Sequence, residues 1–392
     1  MSRLSQLARP MTGRSPDEAH RTATPLELFF DLVFVVAVAQ VSSELHHGLL
    51  VGDIARTIVQ YIFVFGAIWW AWIGFTWFAS AYDTDDVLYR LLVFVQLAGA
   101  LVLAAGVPRA FEQSDWSLVL LGYVIMRLSQ VYMWLRAARD DPPSRPAALR
   151  FATGIAVLQL GWVVFILWSP AWFTLGFLGL FTLELLVPVW AQRSSRTPWH
   201  PEHINERYGL FTIIVLGESI LSASLAVTSL TVEGLTAELV GILLGGLVTV
   251  FTMWWLYFEQ PMHNRTSLRA GFIWGYGHLP IWAAAAAVGA GLAVAIEQAS
   301  GAPSALDAVG AGFAVTIPVA IYLGGLWLIH QVDHAEDWRE GAPALLTLVA
   351  LLTVPLTGWG VLLGGLAVAA LLAWKLATGR VPAGGRQGMI EP

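Results

Sequence analysis

Apolar runs of about 20 residues, the length that crosses a bilayer, follow one another along almost the whole chain, and the charges, prolines and glycines gather between them. The runs predict helices near 25–47, 55–80, 88–108, 117–137, 149–168 and 171–192. A second set follows near 207–229, 235–258, 270–296, 307–330, 343–357 and 359–377. The final pair is short, and Pro355 with Gly358 fits either a tight hairpin or a kink in a single span. The fold class that follows is all-α, a polytopic transmembrane helix bundle of about 12 spans.

Composition agrees. Hydrophobic residues make up 57% and charged residues 12% of 392, with a mean hydropathy of +0.67, which is foreign to a soluble domain of this length. The chain has no cysteine, which excludes disulfides, thiolate metal sites and cysteine nucleophiles together. Twenty arginines against one lysine suit a GC-rich bacterial genome. The net charge of −6 matters less than where the charges lie. With the N-terminus inside and twelve spans, eighteen of the twenty-one basic residues fall on the cytoplasmic side. Only Arg56 and Arg109 fall outside, and Arg127 lies within a span. That asymmetry is the positive-inside bias and predicts a multi-pass protein of the bacterial plasma membrane with both termini cytoplasmic. Residues 1–23 carry Arg3, Arg9, Arg14 and Arg21 but no apolar core, so they read as a cytoplasmic tail rather than a signal peptide.

The expected organisation is a first six-helix half over 24–192, a cytoplasmic linker over 193–206, a second half over 207–378 and a cytoplasmic tail over 379–392. Residues 28–33 and 209–214 are similar at an offset of 181, and double tryptophans, Trp69-Trp70 and Trp254-Trp255, follow in the next span of each half. Six spans per half give both copies one orientation, which makes them parallel repeats with a shared pathway expected between them.

Charges inside the apolar runs are the candidate chemistry, because an ionisable side chain facing lipid costs several kcal/mol and so turns to a protein interior or a water-filled cavity. Glu27 and Asp31 are four residues apart and share a helix face. Arg207 and Glu218 are eleven apart, three turns, and also share one, with Glu206 beside Arg207 at the helix end. His278 lies in Gly275-Tyr-Gly-His-Leu-Pro280, where small residues permit close backbone approach. Arg90 opens the third span beside Asp83, Asp85 and Asp86. The candidate ion or substrate pathway is therefore Glu27, Asp31, Arg90, Glu206, Arg207, Glu218 and His278, most of it in the cytoplasmic half of the bilayer. Plainer readings stand beside these. Glu27 also suits a first-turn acid after Pro25, and the aspartates suit a solvated loop with a helix N-cap. Arg127 and Glu184 read as a structural pair locking two helices. His330, Asp333, His334 and Asp337 imitate a metal site but sit among ordinary loop charges, so no metal is expected. The chain carries no phosphate loop, Gly-x-Ser-x-Gly, His-Glu-x-x-His or dinucleotide fingerprint, so it names neither a catalytic residue nor a cofactor.

Glu27-Leu-Phe-Phe-Asp-Leu-Val-Phe-Val35 and Glu206-Arg-Tyr-Gly-Leu-Phe-Thr-Ile-Ile-Val-Leu-Gly-Glu-Ser-Ile220, with Thr84-Asp-Asp86, Tyr89-Arg90 and Tyr276-Gly-His278, resemble the bacterial low temperature requirement A (LtrA) family over about residues 22–378. The resemblance implies a polytopic membrane protein named for growth in the cold, and no molecular activity. A slighter likeness joins Phe30-Asp31-Leu32-Val33-Phe34 to the first-helix signature of two-repeat potassium channels, from which Phe211-Thr212-Ile213 departs by lacking the aspartate.

Two functional readings result. In the first, the protein is a transporter or channel in which Glu218 binds a proton or cation within a cytoplasm-facing polar vestibule between the repeats. In the second, it is an integral-membrane enzyme or lipophile-binding protein that uses Glu218 and His278 on a lipid-soluble substrate. The expected partners are the bilayer and a small ion or small-molecule substrate, not nucleic acid, and a homo-oligomer is compatible with the sequence.

Overall fold

The first apolar run becomes a helix whose buried and exposed positions alternate with helical period. Phe30, Phe34, Ala37, Val38, Val41 and Leu45 are buried on the face that holds Glu27 and Asp31, while Leu28, Phe29, Leu32 and Val36 are exposed. In a bilayer that outer stripe meets hydrocarbon. The computed structural model describes residues 7–15, 22–168, 171–228, 236–259, 268–331 and 338–378. Among them are twelve α-helices and no strand: α1 (Pro25–Val51), α2 (Ile54–Tyr82), α3 (Val87–Gln113), α4 (Ser117–Asp140), α5 (Arg145–Trp168), α6 (Phe173–Gln192), α7 (Pro201–Thr228), α8 (Ala237–Phe258), α9 (Leu268–Ala299), α10 (Ala308–Gln331), α11 (Trp338–Thr353) and α12 (Gly360–Ala377). Eleven are long and apolar enough to cross a membrane.

The exception is α11, whose 16 residues rise roughly 24 Å. A 3-10 turn over Val354–Thr357 extends it to about the 30 Å of a hydrocarbon core. Gly358 then adopts φ +77° and ends the run; such a left-handed residue is cheap only for glycine. Leu351 lies against Gly364 across this turn, so the last two elements form a hairpin and not one kinked span.

The chain forms two compact units, Met1–Val41 with Val59–Phe211 and Ser42–Ile58 with Thr212–Pro392. The division does not follow the expected linker, since α1, α2 and α7 contribute residues to both units. Helix α7 also starts earlier than its hydropathy suggests, at Pro201, where the ring presets the first helical φ. His200 precedes it as cap, its Nδ1 accepting the His203 N–H at 3.3 Å.

In the first unit, α3 and α4 pack backbone to backbone. A Cβ on Gly99 would lie 2.7 Å from the Gly122 carbonyl oxygen, so only glycine allows this approach. Trp134 of α4 stacks on Phe151 of α5 at 4.2 Å. In the second unit α8 and α12 meet in the same way, a Cβ on Gly365 falling 2.5 Å from the Gly245 carbonyl oxygen. There α9 is the most enclosed span, and Tyr322 of α10 donates to the Met253 carbonyl of α8 at 3.0 Å.

Part of the expected N-terminal tail is tied down. Arg9 N–H donates to Asp86 at 2.8 Å, Met11 N–H to Asp140 at 3.0 Å and Arg14 N–H to the Ala81 carbonyl at 3.0 Å. Met11 is fully buried. Asp86 caps α3 as expected, accepting the Tyr89 N–H at 2.8 Å, but it is buried rather than solvated. Its carboxylate survives burial because Arg136 pairs with it and also donates to the Arg9 carbonyl at 2.5 Å. Burial pushes the Asp86 carboxyl up, but the hydrogen bonds from Arg136, Tyr89 and Arg9 outweigh it and hold it below the ordinary carboxylate range. A depressed carboxyl stabilises the fold above its unfolded value and loses that contribution as pH falls through the folded one. The strap should therefore stay closed at neutral pH and begin to release only below about pH 4. Asp86→Asn should release it at neutral pH, seen as faster tryptic cleavage after Arg14.

Candidate functional site

Two buried polar centres emerge, one in each unit, and they differ in how charge is balanced. The first is built on α1, α2 and α7. Thr24-Pro-Leu-Glu27 forms a capping box: Glu27 N–H donates to Thr24 Oγ1 at 3.3 Å, while Thr24 N–H and Oγ1–H donate to Glu27 Oε2 at 2.8 and 3.0 Å. Glu27 also faces α7, with His203 Nε2 at 3.1 Å and Arg207 Nη1 at 4.0 Å from its Oε1. One turn along α1, Asp31 Oδ1 accepts from Arg207 Nη2 at 2.6 Å and from Trp72 Nε1 at 2.7 Å. The Arg207 guanidinium lies 5.8 Å from the Trp72 ring centroid. Asp31, His203 and Arg207 are fully buried and Glu27 is 1% exposed. One guanidinium therefore faces two buried carboxylates in this centre, with the His203 ring beside Glu27.

The second centre lies on α1 and α7 within the other unit. Glu218, 4% exposed, accepts from Ser222 Oγ at 2.5 Å and from Ser42 Oγ at 3.3 Å. Its described partners are hydroxyls, and no cationic side chain is paired with it among the described residues. The neighbouring Ser219 does not join them; its hydroxyl donates to the Ala285 carbonyl of α9 at 2.8 Å. Thus Arg207, expected on the face of Glu218, spends its charge on Asp31 and Glu27 instead.

The remaining candidates each have partners of their own. His278, fully buried on α9, has Tyr257 Oη 3.0 Å from its Nε2 and the Trp274 carbonyl 2.7 Å from its Nδ1. Glu206 is half-buried and accepts the Ala23 N–H at 3.2 Å. Arg90 does not join a buried centre: it is exposed and held by Asp85 through two bonds of 2.7 Å. Arg127 and Glu184 do pair, at 2.5 Å, and both are buried. Trp70 Nε1 donates to the same Glu184 oxygen at 2.8 Å, and Arg127 Nη1 donates to Gln130 at 2.9 Å. Among the described residues no group of three or more His, Asp or Glu could hold a metal ion. The expected metal imitation at Asp333, His334 and Asp337, with the His330 side chain, lies outside the described residues.

Sequence reasoning missed His203, Trp72, Ser42 and Ser222. Two had a signal. His203 precedes Arg207 by four residues and Ser222 follows Glu218 by four, which is one helical turn in each case. Trp72 and Ser42 reach the site through tertiary packing, which no local spacing reports.

The profile described as "Bacterial low temperature requirement A protein (LtrA)" matches residues 22–376, nearly the whole chain. The chain belongs to the LtrA family. Among curated proteins it is similar to "Uncharacterized protein RA0937" of Rhizobium meliloti (strain 1021), 31% identical over 274 residues. That match covers 65% of this chain and 65% of the relative, so the chain spans less than two thirds of the relative's length. No solved structure matches significantly. Both centres of this LtrA protein lie in the matched region, and Glu27, Asp31, Glu206, Arg207 and Glu218 all fall within its two motif segments.

Proposed function

We propose that this LtrA protein is a transporter or channel coupled to a proton or small cation, and that Glu218 is the group that binds and releases it. The supporting observation is the environment of Glu218: a buried carboxylate whose partners are the hydroxyls of Ser42 and Ser222. A buried carboxylate cannot hold its charge without a counter-ion, so it either carries a proton or takes a cation from outside the protein. Hydroxyls suit both states, since they donate to the anion and accept from the acid. By contrast Asp31 and Glu27 have a built-in cation in Arg207, which suits them to holding α1, α2 and α7 together.

His278 argues against the enzyme reading, because both its ring nitrogens are engaged by Tyr257 and the Trp274 carbonyl. The test uses purified protein. A pH- or cation-dependent shift in thermal stability should be present in the natural protein and absent in Glu218→Gln, which preserves shape and both hydroxyl contacts. A shift retained unchanged in Glu218→Gln would remove Glu218 from this role.

The proposal includes an orientation in the bacterial plasma membrane with both termini cytoplasmic, supported by the eighteen basic residues assigned to that side. Because the chain has no cysteine, Pro142→Cys should label only from the cytoplasm and Ala302→Cys only from outside. The reverse pattern at Ala302 would overturn the orientation of that part of the chain.

A further inference from the structure

Most arginines of the first unit have a carboxylate: Arg14, Arg90, Arg127, Arg136, Arg139 and Arg207 each pair with one. Arg145, Arg150, Arg193 and Arg196 pair with none among the described residues. Arg145 donates to the Ala138 and Arg139 carbonyls at 2.7 and 3.3 Å, and Arg150 to the Trp190 carbonyl at 3.0 Å. Two loop contacts gather the four at one end of the unit. Ser144 Oγ donates to the Arg196 carbonyl at 3.3 Å and Ala147 N–H to Ser195 Oγ at 3.0 Å, which joins the α4–α5 turn to the segment after α6. Residues 139–150 and 193–196 together hold five arginines against two aspartates. One of those aspartates, Asp140, is already held by Arg139 and the Met11 N–H. The end of the unit is therefore a patch of uncompensated positive charge.

The patch adjoins the part of the unit that meets hydrocarbon. Helices α5 and α6 are the least enclosed of the spans, and Leu149, Val157, Leu183 and Leu186 on them are exposed. The two helices cross closely at Gly154, where a Cβ would lie 2.8 Å from Val187 Cγ1 and 3.5 Å from the Trp190 ring. Trp190 is itself exposed, and the Arg150 guanidinium lies 5.3 Å from its ring centroid. An indole beside a guanidinium at the end of an apolar face is the pairing that marks headgroup depth. The guanidinium fork matches the oxygens of a phosphate. A free phosphate would use the arginines and leave the apolar face unused, and a neutral lipid would do the reverse. A phosphate carried on acyl chains uses both.

We propose that the α5–α6 end of the first unit binds an anionic phospholipid, with its phosphate at Arg150 and Trp190, Arg145, Arg193 and Arg196 around the headgroup, and its acyl chains along the exposed face of α5 and α6. The site lies within the first unit and is separate from Glu218, so it stands whether or not ions are transported.

Native mass spectrometry of the full-length protein in detergent, titrated with dioleoyl phosphatidylglycerol or dioleoyl phosphatidylcholine, tests this, since the two lipids share their chains and differ in net charge. Phosphatidylglycerol should bind saturably and about 10-fold more tightly. Arg150→Gln should remove most of that preference, a loss of about 10-fold for one charge-assisted contact. Arg193→Gln combined with Arg196→Gln should lower it as well, and decides the matter should Arg150→Gln fold poorly. Arg109→Gln, which removes the same charge from an arginine already paired with Asp115, should leave the preference unchanged. Melting temperature should rise with phosphatidylglycerol in the natural protein and not with inorganic phosphate. Equal binding of the two lipids, full preference retained in the arginine variants of the patch, or an equal loss in Arg109→Gln overturns the proposal. Stabilisation by inorganic phosphate equal to that by phosphatidylglycerol would make the patch a site for a soluble anion and overturn it too.

Discussion

Arg207→Leu should be the most damaging single substitution in the membrane region. It strands Asp31 and Glu27, both buried on α1 and both paired to the same guanidinium at 2.6 and 4.0 Å. Breaking one buried pair costs about 3–5 kcal/mol because the surviving charge is uncompensated; here two survive, and only His203 remains beside Glu27. The loss should reach at least the upper end of that range, enough to prevent accumulation of folded protein. Arg207→Lys should recover only part of it, since a single ammonium cannot reproduce the spread of a guanidinium across two carboxylates. Combining Arg207→Leu with Asp31→Leu should recover more, because the Glu27–His203 pair is left intact. Expression yield and thermal melting in detergent report all three. A stably folded Arg207→Leu protein would show that the centre tolerates negative charge and that its role is not cohesion.

The second large effect concerns Arg127 and Glu184. Either one replaced by leucine should cost about 3–5 kcal/mol, again as an unpaired buried charge. The double apolar variant should recover much of this, because the native pair is incompletely satisfied: Arg127 Nε and Glu184 Oε1 have no hydrogen-bond partner. A half-satisfied buried network is a poor source of stability compared with apolar packing. Space at this site is tight, as a Cβ on Gly74 would lie 2.7 Å from Gln130 Nε2 and 3.1 Å from Arg127 Nη1. Melting temperatures of the two single variants and the double close the cycle. Single variants that melt normally yet abolish flux would move the pair from scaffold to pathway.

Most of the fold was legible in the sequence because a bilayer imposes one strong rule, that a spanning segment be long, apolar and helical. The expected runs 235–258 and 307–330 correspond to α8 (Ala237–Phe258) and α10 (Ala308–Gln331). The rule fails where helix continues outside the apolar window. The polar stretch before Arg207 is helical from Pro201, and its start is a proline and cap signal that hydropathy does not weigh. Residues 7–15 have no periodicity at all, and their backbone bonds to Asp86 and Asp140 depend on the arrangement of other helix ends.

The site was legible in part for the same physical reason. Glu27 and Asp31 share a face by spacing alone, and both are buried as expected. Which cation each meets is a different question, because Arg207 is 176 residues from Asp31 in sequence. Spacing along α7 put Arg207 and Glu218 on one face and suggested a local electrostatic balance. Burial instead placed Arg207 on the carboxylates of α1 and left Glu218 with hydroxyls. In the proposed function, that difference separates a group held for cohesion from one that exchanges an ion.

The most direct test of this account is the transient current of reconstituted vesicles after a rapid change of pH or cation on one side. The natural protein should give a charge movement that grows with the size of the step. Glu218→Gln, inserted and folded to the same extent, should give none, and Ser222→Ala should shift its dependence on pH or cation concentration. A current of undiminished size in Glu218→Gln would contradict the account.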